Sequence, residues 1–230
     1  MERYYQQYIK LLEKELVPAF GCTEPIAIAY AAAYARNILD AMPEEVDIKV
    51  SSNIIKNVKS VTIPNTGGLK GIEAAVAAGI VVGNPEKELE VIAGVSKEQI
   101  PMIKEYLERV PIKVSASESD EVFDIRIMVK CKKQYALVRI VKEHLNIVYV
   151  EKNGKEIFEK DEEDRQEQPE ASLTIQKIVE FADLAAIEDI RGPVRRQVDY
   201  NMAIAREGPV SYTPLRAHET GRNLVCRLLL

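Results

Sequence analysis

The sequence predicts an α+β fold, with buried apolar helices and an antiparallel sheet of four or five strands. Two segments, 25–35 and 71–82, are almost entirely apolar, and a helix that is apolar on all sides is typically buried in a core. Residues 111–160 instead alternate with a period of two and contain a strong Asn153-Gly154 hairpin turn. Helical and strand patterns thus occupy separate stretches of the chain, which favours α+β over an alternating α/β architecture.

The first part of the chain, residues 1–110, is predicted to be mixed but mainly helical, and it contains a cysteine turn and a glycine-rich turn. Apolar side chains spaced by three and four residues predict an amphipathic helix over 3–16. After the cysteine turn, Thr23 is the predicted N-cap of the first apolar helix. The alternating EVDIKV over 45–50 then predicts a strand.

The glycine-rich turn separates this strand from the second apolar helix. Its sequence is IPNTGGLKG over 63–71, and the helix after it ends where Gly83, Asn84 and Pro85 follow. A further amphipathic helix is predicted over 96–109. Both turns therefore lie directly before apolar helices.

The rest of the chain divides into three predicted parts. Residues 111–160 form an antiparallel β part, 161–208 contain a charged linker and returning helices, and 209–230 form a non-native tail. The tail carries three arginines and one glutamate, and its VSYTPLRAHET resembles the translation of a sequencing adapter. It is therefore excluded from the predicted fold, and a natural, poorly ordered tail is the alternative.

The composition predicts a cytoplasmic protein with a sizeable core and with no nucleic-acid or membrane partner. Of 230 residues, 47% are hydrophobic, and the net charge of −5 argues against the basic surface that nucleic acid and anionic membranes attract. No apolar run approaches the roughly 20 residues of a membrane span, and the polar N-terminus does not resemble a signal peptide. Three cysteines, an odd number, do not suggest a disulfide framework. Nothing in the composition sets the oligomeric state.

The sequence GCTEP places Cys22 at the N-terminus of the first apolar helix. There, unpaired backbone N–H groups and the helix dipole favour a thiolate, which is the form that binds metals or acts as a nucleophile. A small structural thiol is the alternative. Cys131 ends a predicted strand without neighbours at ligand spacing, and it is interpreted as a passive thiol.

Three further features are candidates for binding a small substrate. The glycines of the 63–71 turn allow successive N–H groups to form an anion site sized for a carboxylate, or else simply a tight turn. Asn53, Lys56 and Asn57 follow a strand end, where they could fix an amino or carboxylate group or belong to a polar loop. His144 is a lone histidine between two strands, and such residues are more often structural than catalytic.

Three segments, in this order, resemble the L-cysteine desulfidase family, which is also described as serine-dehydratase-alpha-like. They are VPAFGCTEPIAIAYAAA, SSNIIKNVKSVTIPNTGGLKGIEAAVAAGIVVGNP and HLNIVYVEKNG. The resemblance covers residues 1–208 and corresponds to the N-terminal portion of a longer family chain. It implies a lyase of L-cysteine catabolism that is oxygen-sensitive, contains a 4Fe–4S cluster and uses no pyridoxal phosphate. Its products would be pyruvate, ammonia and hydrogen sulfide.

The resemblance also implies roles for individual residues. Three cysteines would hold the cluster and leave one iron open to the substrate. Cys22 matches the first metal ligand, and the remaining ligands are expected beyond Gly208, so the chain is interpreted as a truncated copy. The glycine-rich turn would hold the carboxylate of a small amino-acid substrate, and a base would take its α-proton. The candidate substrate-binding residues are Asn53, Asn65, Thr66, Gly67 and Gly68, and the candidate catalytic residues are Lys56, Glu24 and His144. Leu145 stands where related sequences carry a small hydroxyl residue, which weakens the case for His144.

Two alternatives stay open at this point. In the first, the substrate is L-serine or a related hydroxy-amino acid, because only the leaving group differs from that of cysteine. In the second, the chain is a non-catalytic ligand- or redox-sensing module in which Cys22 is a reactive thiol.

Overall fold

The structure is a computed structural model that describes residues 2–19, 21–160 and 173–207. The chain divides into two compact units. The larger unit spans residues 19–168, and the smaller unit combines 1–18 with 169–230. The predicted linker over 161–170 and the predicted tail over 209–230 lie outside the described residues.

Helices and strands follow one another in groups, as the sequence patterns predict. Within the described residues the α-helices are α1 (Glu2–Glu15), α2 (Thr23–Leu39), α3 (Ser52–Val58), α4 (Gly71–Val82), α5 (Ile100–Arg109), α6 (Ile175–Leu184) and α7 (Ile187–Glu207), and a 3-10 helix spans Pro85–Glu90. The strands are β1 (Glu45–Val50), β2 (Ile112–Ala116), β3 (Asp124–Cys131), β4 (Gln134–Val141), β5 (Ile147–Lys152) and β6 (Lys155–Glu159). None of these helices combines the length and the apolar composition that a bilayer crossing requires.

The larger unit contains a six-stranded sheet in the order β2-β1-β3-β4-β5-β6. β1 and β2 are parallel, and every other neighbouring pair is antiparallel. The predicted α+β class is confirmed. The sheet has more strands than predicted, because β1 comes from the first part of the chain and inserts between β2 and β3. Its alternate side chains Val46, Ile48 and Val50 are fully buried, which explains the period-two pattern.

Helix α2 is the buried centre of the larger unit, as its apolar sequence predicts. It packs against β3, β4 and α4. A Cβ atom added at Gly79 would lie 2.1 Å from the backbone oxygen of Ala29, so α2 and α4 approach each other closely. Arg36 of α2 donates to the carbonyl oxygens of Ile80, at 2.8 Å, and Gly83, at 3.2 Å, near the C-terminal end of α4. These contacts fix α2 as a rigid support for the residues at its N-terminus.

The smaller unit contains α1, α6 and α7, which have a small core in common. Tyr8, Ile9 and Phe181 are its buried members. The Tyr5 hydroxyl donates to Asp189 Oδ2 at 2.9 Å and accepts from the Ala186 N–H at 2.9 Å. Aromatic packing and a few polar contacts therefore join these helices.

The break between the two returning helices lies earlier than predicted. The sequence places helices over about 172–190 and 193–206, whereas α6 ends at Leu184 and α7 begins at Ile187. Pro193 is buried inside α7 and does not interrupt it. Packing therefore outweighs the preference of proline for a helix boundary at this position.

Candidate functional site

One end of the sheet brings together segments that are distant in sequence. The Ser51 N–H, just after β1, donates to the Asp124 carbonyl at 2.9 Å, and the Lys142 N–H, just after β4, donates to the Phe123 carbonyl at 2.9 Å. α3 follows directly from β1, and the turn after β4 carries His144. The antiparallel pairing of β3 therefore places the start of α3 and the β4–β5 turn at the same end of the sheet.

Helix α3 begins at this end because Ser51 caps it. Ser51 is buried, and its Oγ accepts a hydrogen bond from the Ile54 N–H at 3.5 Å. The same hydroxyl donates to the Val122 carbonyl at 2.7 Å, which ties the cap to the loop before β3. The position of α3 relative to the sheet is thus set by one buried serine.

The outer face of α3 carries the polar residues that the sequence singled out. Ile54 and Val58 are buried at positions i and i+4. Asn53, Lys56 and Asn57 are exposed, and their spacing of i, i+3 and i+4 places them on one face. The segment is therefore a helix with a polar face rather than a polar loop.

Glu24 connects the start of α2 with α3. Its Oε1 accepts a hydrogen bond from Asn57 Nδ2 at 2.8 Å. The negative charges of Glu24 and Glu143 both raise the pKa of the His144 imidazole in the β4–β5 turn. Glu24 is therefore in contact with Asn57 and interacts electrostatically with His144.

His144 is half-buried against the ring of Phe123. The ring centres are 4.7 Å apart, and the rings meet edge to face at 61°. Burial lowers the pKa of His144 below its ordinary value of 6.5, while Glu24 and Glu143 oppose that shift. The imidazole is therefore mostly neutral at pH 7, the form that accepts a proton.

Gly21 brings the glycine-rich turn against the start of α2. Its φ is +99°, and a Cβ atom here would lie 2.8 Å from Pro64 Cγ, so both conformation and space require glycine. The next residue, Cys22, is the N-cap of α2, and its exposed side chain makes no capping hydrogen bond. The Cys22 thiol is therefore available at the uncapped, electropositive end of a buried helix.

Two side chains of the glycine-rich turn maintain its shape. The buried Thr66 hydroxyl donates to the Ile63 carbonyl at 2.7 Å, and Asn65 Nδ2 donates to the Ala93 carbonyl at 2.9 Å. Gly67 and Gly68 have φ values of +69° and +92°, and a Cβ atom at Gly68 would meet nothing within 4 Å. The backbone of the two exposed glycines is therefore the part of the turn open to a ligand, and the substrate-binding roles of Asn65 and Thr66 remain predictions.

The described residues do not form a site for a complete 4Fe–4S cluster. They contain no group of three or more histidine, cysteine, aspartate or glutamate side chains placed to hold a metal ion. The described free cysteines are Cys22 and Cys131. Cys131 ends β3, an eight-residue strand that begins at Asp124 beside the site, so about 23 Å of strand separates it from that end. Only Cys22 supplies a thiol here, whereas such clusters take three or four.

Sequence patterns alone did not point to Phe123 or to the Glu24–Asn57 contact. Phe123 directly precedes β3 and continues its alternation of buried apolar residues, but that pattern does not place its ring against His144, which depends on the pairing of β3 with β4. The spacing of Asn53, Lys56 and Asn57 was a usable signal, because it matches one face of a helix.

Comparisons with known proteins give relatives over most of the chain. A UPF0597 protein of Desulfitobacterium hafniense is 50% identical over 210 residues, which cover 90% of this chain and 49% of the relative. UPF0597 proteins of Treponema denticola and Lachnoclostridium phytofermentans are 39% and 41% identical, covering 96% and 89% of this chain and 52% and 49% of the relatives. The chain thus spans about half the length of the curated relatives it matches. No family model matches the chain, and no solved structure matches it.

These relatives correct the family expected from the sequence. Proteins that match most of the chain at 50% to 33% identity carry the name UPF0597 protein. Their names do not mention L-cysteine desulfidase. The recognition of the chain as a member of that family is therefore wrong, and the chain is described as similar to UPF0597 proteins.

Proposed function

We propose that this chain provides part of the active site of a cytoplasmic carbon–sulfur lyase that performs β-elimination on L-cysteine. The products would be pyruvate, ammonia and hydrogen sulfide. The observation that supports this proposal is the hydrogen bond between Glu24 and Asn57 in the first turn of a buried helix whose N-cap is Cys22, together with the effect of the Glu24 charge on the His144 imidazole. A carboxylate, an amide, an imidazole and a thiol that are linked in this way suit a small zwitterionic substrate better than a macromolecule.

The two charged groups of an amino acid have complementary partners at this end of the unit. The uncapped N–H groups of the first turn of α2 and the backbone of Gly67 and Gly68 suit the α-carboxylate. The carboxylate of Glu24 suits the α-ammonium group, and its hydrogen bond to Asn57 fixes its orientation. Two anchors of opposite charge would orient the Cα–H bond and the leaving sulfur.

We assign the role of base for the α-proton to His144. Its imidazole is mostly neutral because burial lowers its pKa, and the Glu24 charge would stabilise the imidazolium formed. The α-proton passes to His144, the Cα–H electron pair forms the Cα–Cβ double bond, and the Cβ–S bond breaks to release hydrosulfide. Free aminoacrylate then takes up water to give pyruvate and ammonia. Glu24 and Lys56 remain the other candidate bases.

The proposed cofactor is a 4Fe–4S cluster to which Cys22 contributes one ligand, without pyridoxal phosphate. Because the described residues do not complete such a site, its further ligands would have to lie outside them.

A chimera tests the proposal. Residues 1–207 of this chain would replace the matched half of the Desulfitobacterium hafniense relative, and the protein would be prepared anaerobically with iron and sulfide. We expect pyruvate and sulfide from L-cysteine, and we expect Cys22→Ala to abolish both while Cys131→Ala, the matched control, retains them. Turnover of L-serine alone would favour the dehydratase alternative, and full activity in Cys22→Ala would refute the ligand role.

A non-catalytic thiol module is the second candidate, and the exposure of Cys22 favours it. Cys22 is an exposed free thiol at an uncapped helix N-terminus, a position typical of redox-reactive cysteines. In that case the chimera would release no pyruvate from either amino acid. Cys22 would instead react with mild oxidants faster than Cys131.

A further inference from the structure

The helices of the smaller unit bury few side chains among the residues that the structure describes. α1, α6 and α7 contain 14, 10 and 21 residues. Their shared apolar cluster has three buried members, Tyr8, Ile9 and Phe181, with five partly buried side chains packed against them. Helices in water obtain most of their stability from burying an apolar face, so these three helices have apolar surface left for a further contact.

Apolar side chains that could extend this core are exposed instead. On α6, Ile175, Ile178 and Val179 are exposed to 83%, 47% and 54%, and their spacing of i, i+3 and i+4 makes one contiguous strip, the α6 stripe. Phe181, at the margin of the same apolar arc, is the α6 residue that packs against α1. Gln176, Glu180 and Asp183 occupy a polar side of the helix roughly 100° around from Ile175. α6 is therefore amphipathic, with most of its apolar face uncovered.

Helix α7 repeats the pattern along its second half. Val198 and Met202 form one exposed apolar pair at i and i+4, and Tyr200 and Ile204 form another. Singly exposed apolar residues are normal on a protein surface. Contiguous exposed apolar side chains on two consecutive helices are instead typical of interaction surfaces.

We propose that the α6 stripe docks the polypeptide that the relatives carry outside the half matched by this chain. The relative from Desulfitobacterium hafniense is matched over only 49% of its length. The unmatched part of that relative is therefore about as long as the matched part and is long enough to cover an apolar surface. The stripe is uncharged, so the complementary surface is an apolar face of that polypeptide, and the contact is a helix-in-groove or helix-on-helix packing. This proposal does not depend on the proposed lyase activity.

The unmatched portion of the Desulfitobacterium hafniense relative is the probe. It is expressed separately, mixed with the full chain and followed by size-exclusion chromatography with light scattering and by titration calorimetry. We expect a one-to-one complex. Ile178→Glu should weaken it roughly tenfold or more, because a charge replaces an apolar anchor at the contact.

Gln176→Glu is the matched control, since it adds the same charge to the polar side of α6 and should change the affinity less than about twofold. Val179→Glu is a second variant on the stripe, and circular dichroism checks that each variant keeps its helices. Absence of a complex with the unchanged chain, or equal affinity for Ile178→Glu and Gln176→Glu, overturns the proposal. A homodimer that Ile178→Glu dissociates also overturns it, because the occupant is then a second copy. Strong hydrogen-exchange protection of α6 in the isolated monomer would overturn it as well, because the stripe is then covered by the chain itself.

Discussion

At the residue scale, the electrostatic interaction between Glu24 and His144 is the feature on which the proposed chemistry depends. We predict that Glu24→Gln lowers the pKa of His144, because it removes the carboxylate whose charge has the larger effect against burial on that pKa. Glu143→Gln is the control and should lower that pKa less. The measurement is an NMR titration of the imidazole protons, with His218→Gln removing the signals of the other histidine in the sequence. An unchanged or higher pKa in Glu24→Gln would show that the two side chains do not interact.

Individual site residues were partly visible in the sequence. Cys22, at the start of an apolar helix, and the glycines of the turn follow from local patterns, since helix caps and positive φ angles leave local signals. The electrostatic interaction between Glu24 and His144 does not follow from local patterns. The two residues are 120 positions apart in sequence, and their placement depends on the order of the strands. The side-chain bonds of Asn65 and Thr66 within the fold were likewise not deducible from their spacing.

At the scale of elements, the close packing of α2 against α4 fixes the position of α2, whose N-terminus carries Cys22 and Glu24. We predict that Gly79→Ala destabilises the protein by about 3 kcal/mol, because the added methyl group meets a backbone oxygen that cannot rotate away. Gly192→Ala is the control, since a Cβ atom there meets nothing within 4 Å beyond its chain neighbours. The gain in helix propensity and the restriction from the following Pro193 oppose each other, so the free energy of unfolding should change by less than about 1 kcal/mol. Urea unfolding followed by circular dichroism measures both changes. Equal stability of Gly79→Ala and the unchanged chain would contradict the close crossing.

The elements themselves were largely predictable, and their arrangement was not. The two apolar helices, β1 and the hairpin at Asn153-Gly154 follow from periodicity and turn residues. The insertion of β1 between β2 and β3 involves partners more than 60 residues away along the chain, and no local pattern encodes such a pairing. Helix α3 was missed because it is only seven residues long and its polar face dominates its composition.

At the scale of the whole molecule, the chain matches only about half the length of its curated relatives. Two independent features of the described residues carry the two proposals: one thiol at the candidate site and an uncovered apolar stripe on α6. The two proposals have different requirements. Docking at the α6 stripe requires only apolar packing, whereas activity at the candidate site requires cluster ligands and a substrate. The two proposals can therefore fail separately.

The most direct measurement is an NMR titration of the isotope-labelled full chain with L-cysteine under anaerobic conditions. Binding at the proposed site should shift the amide signals of Cys22, Glu24, Gly67 and Gly68 and the imidazole signals of His144. Amides near Tyr135 on β4, at the far end of the sheet, should not move. Asn57→Ala should weaken the shifts by roughly fivefold or more, because Glu24 then loses the hydrogen bond that orients it. Shifts confined to another part of the chain, or equal shifts in Asn57→Ala, would contradict the assignment of an amino-acid site to the start of α2.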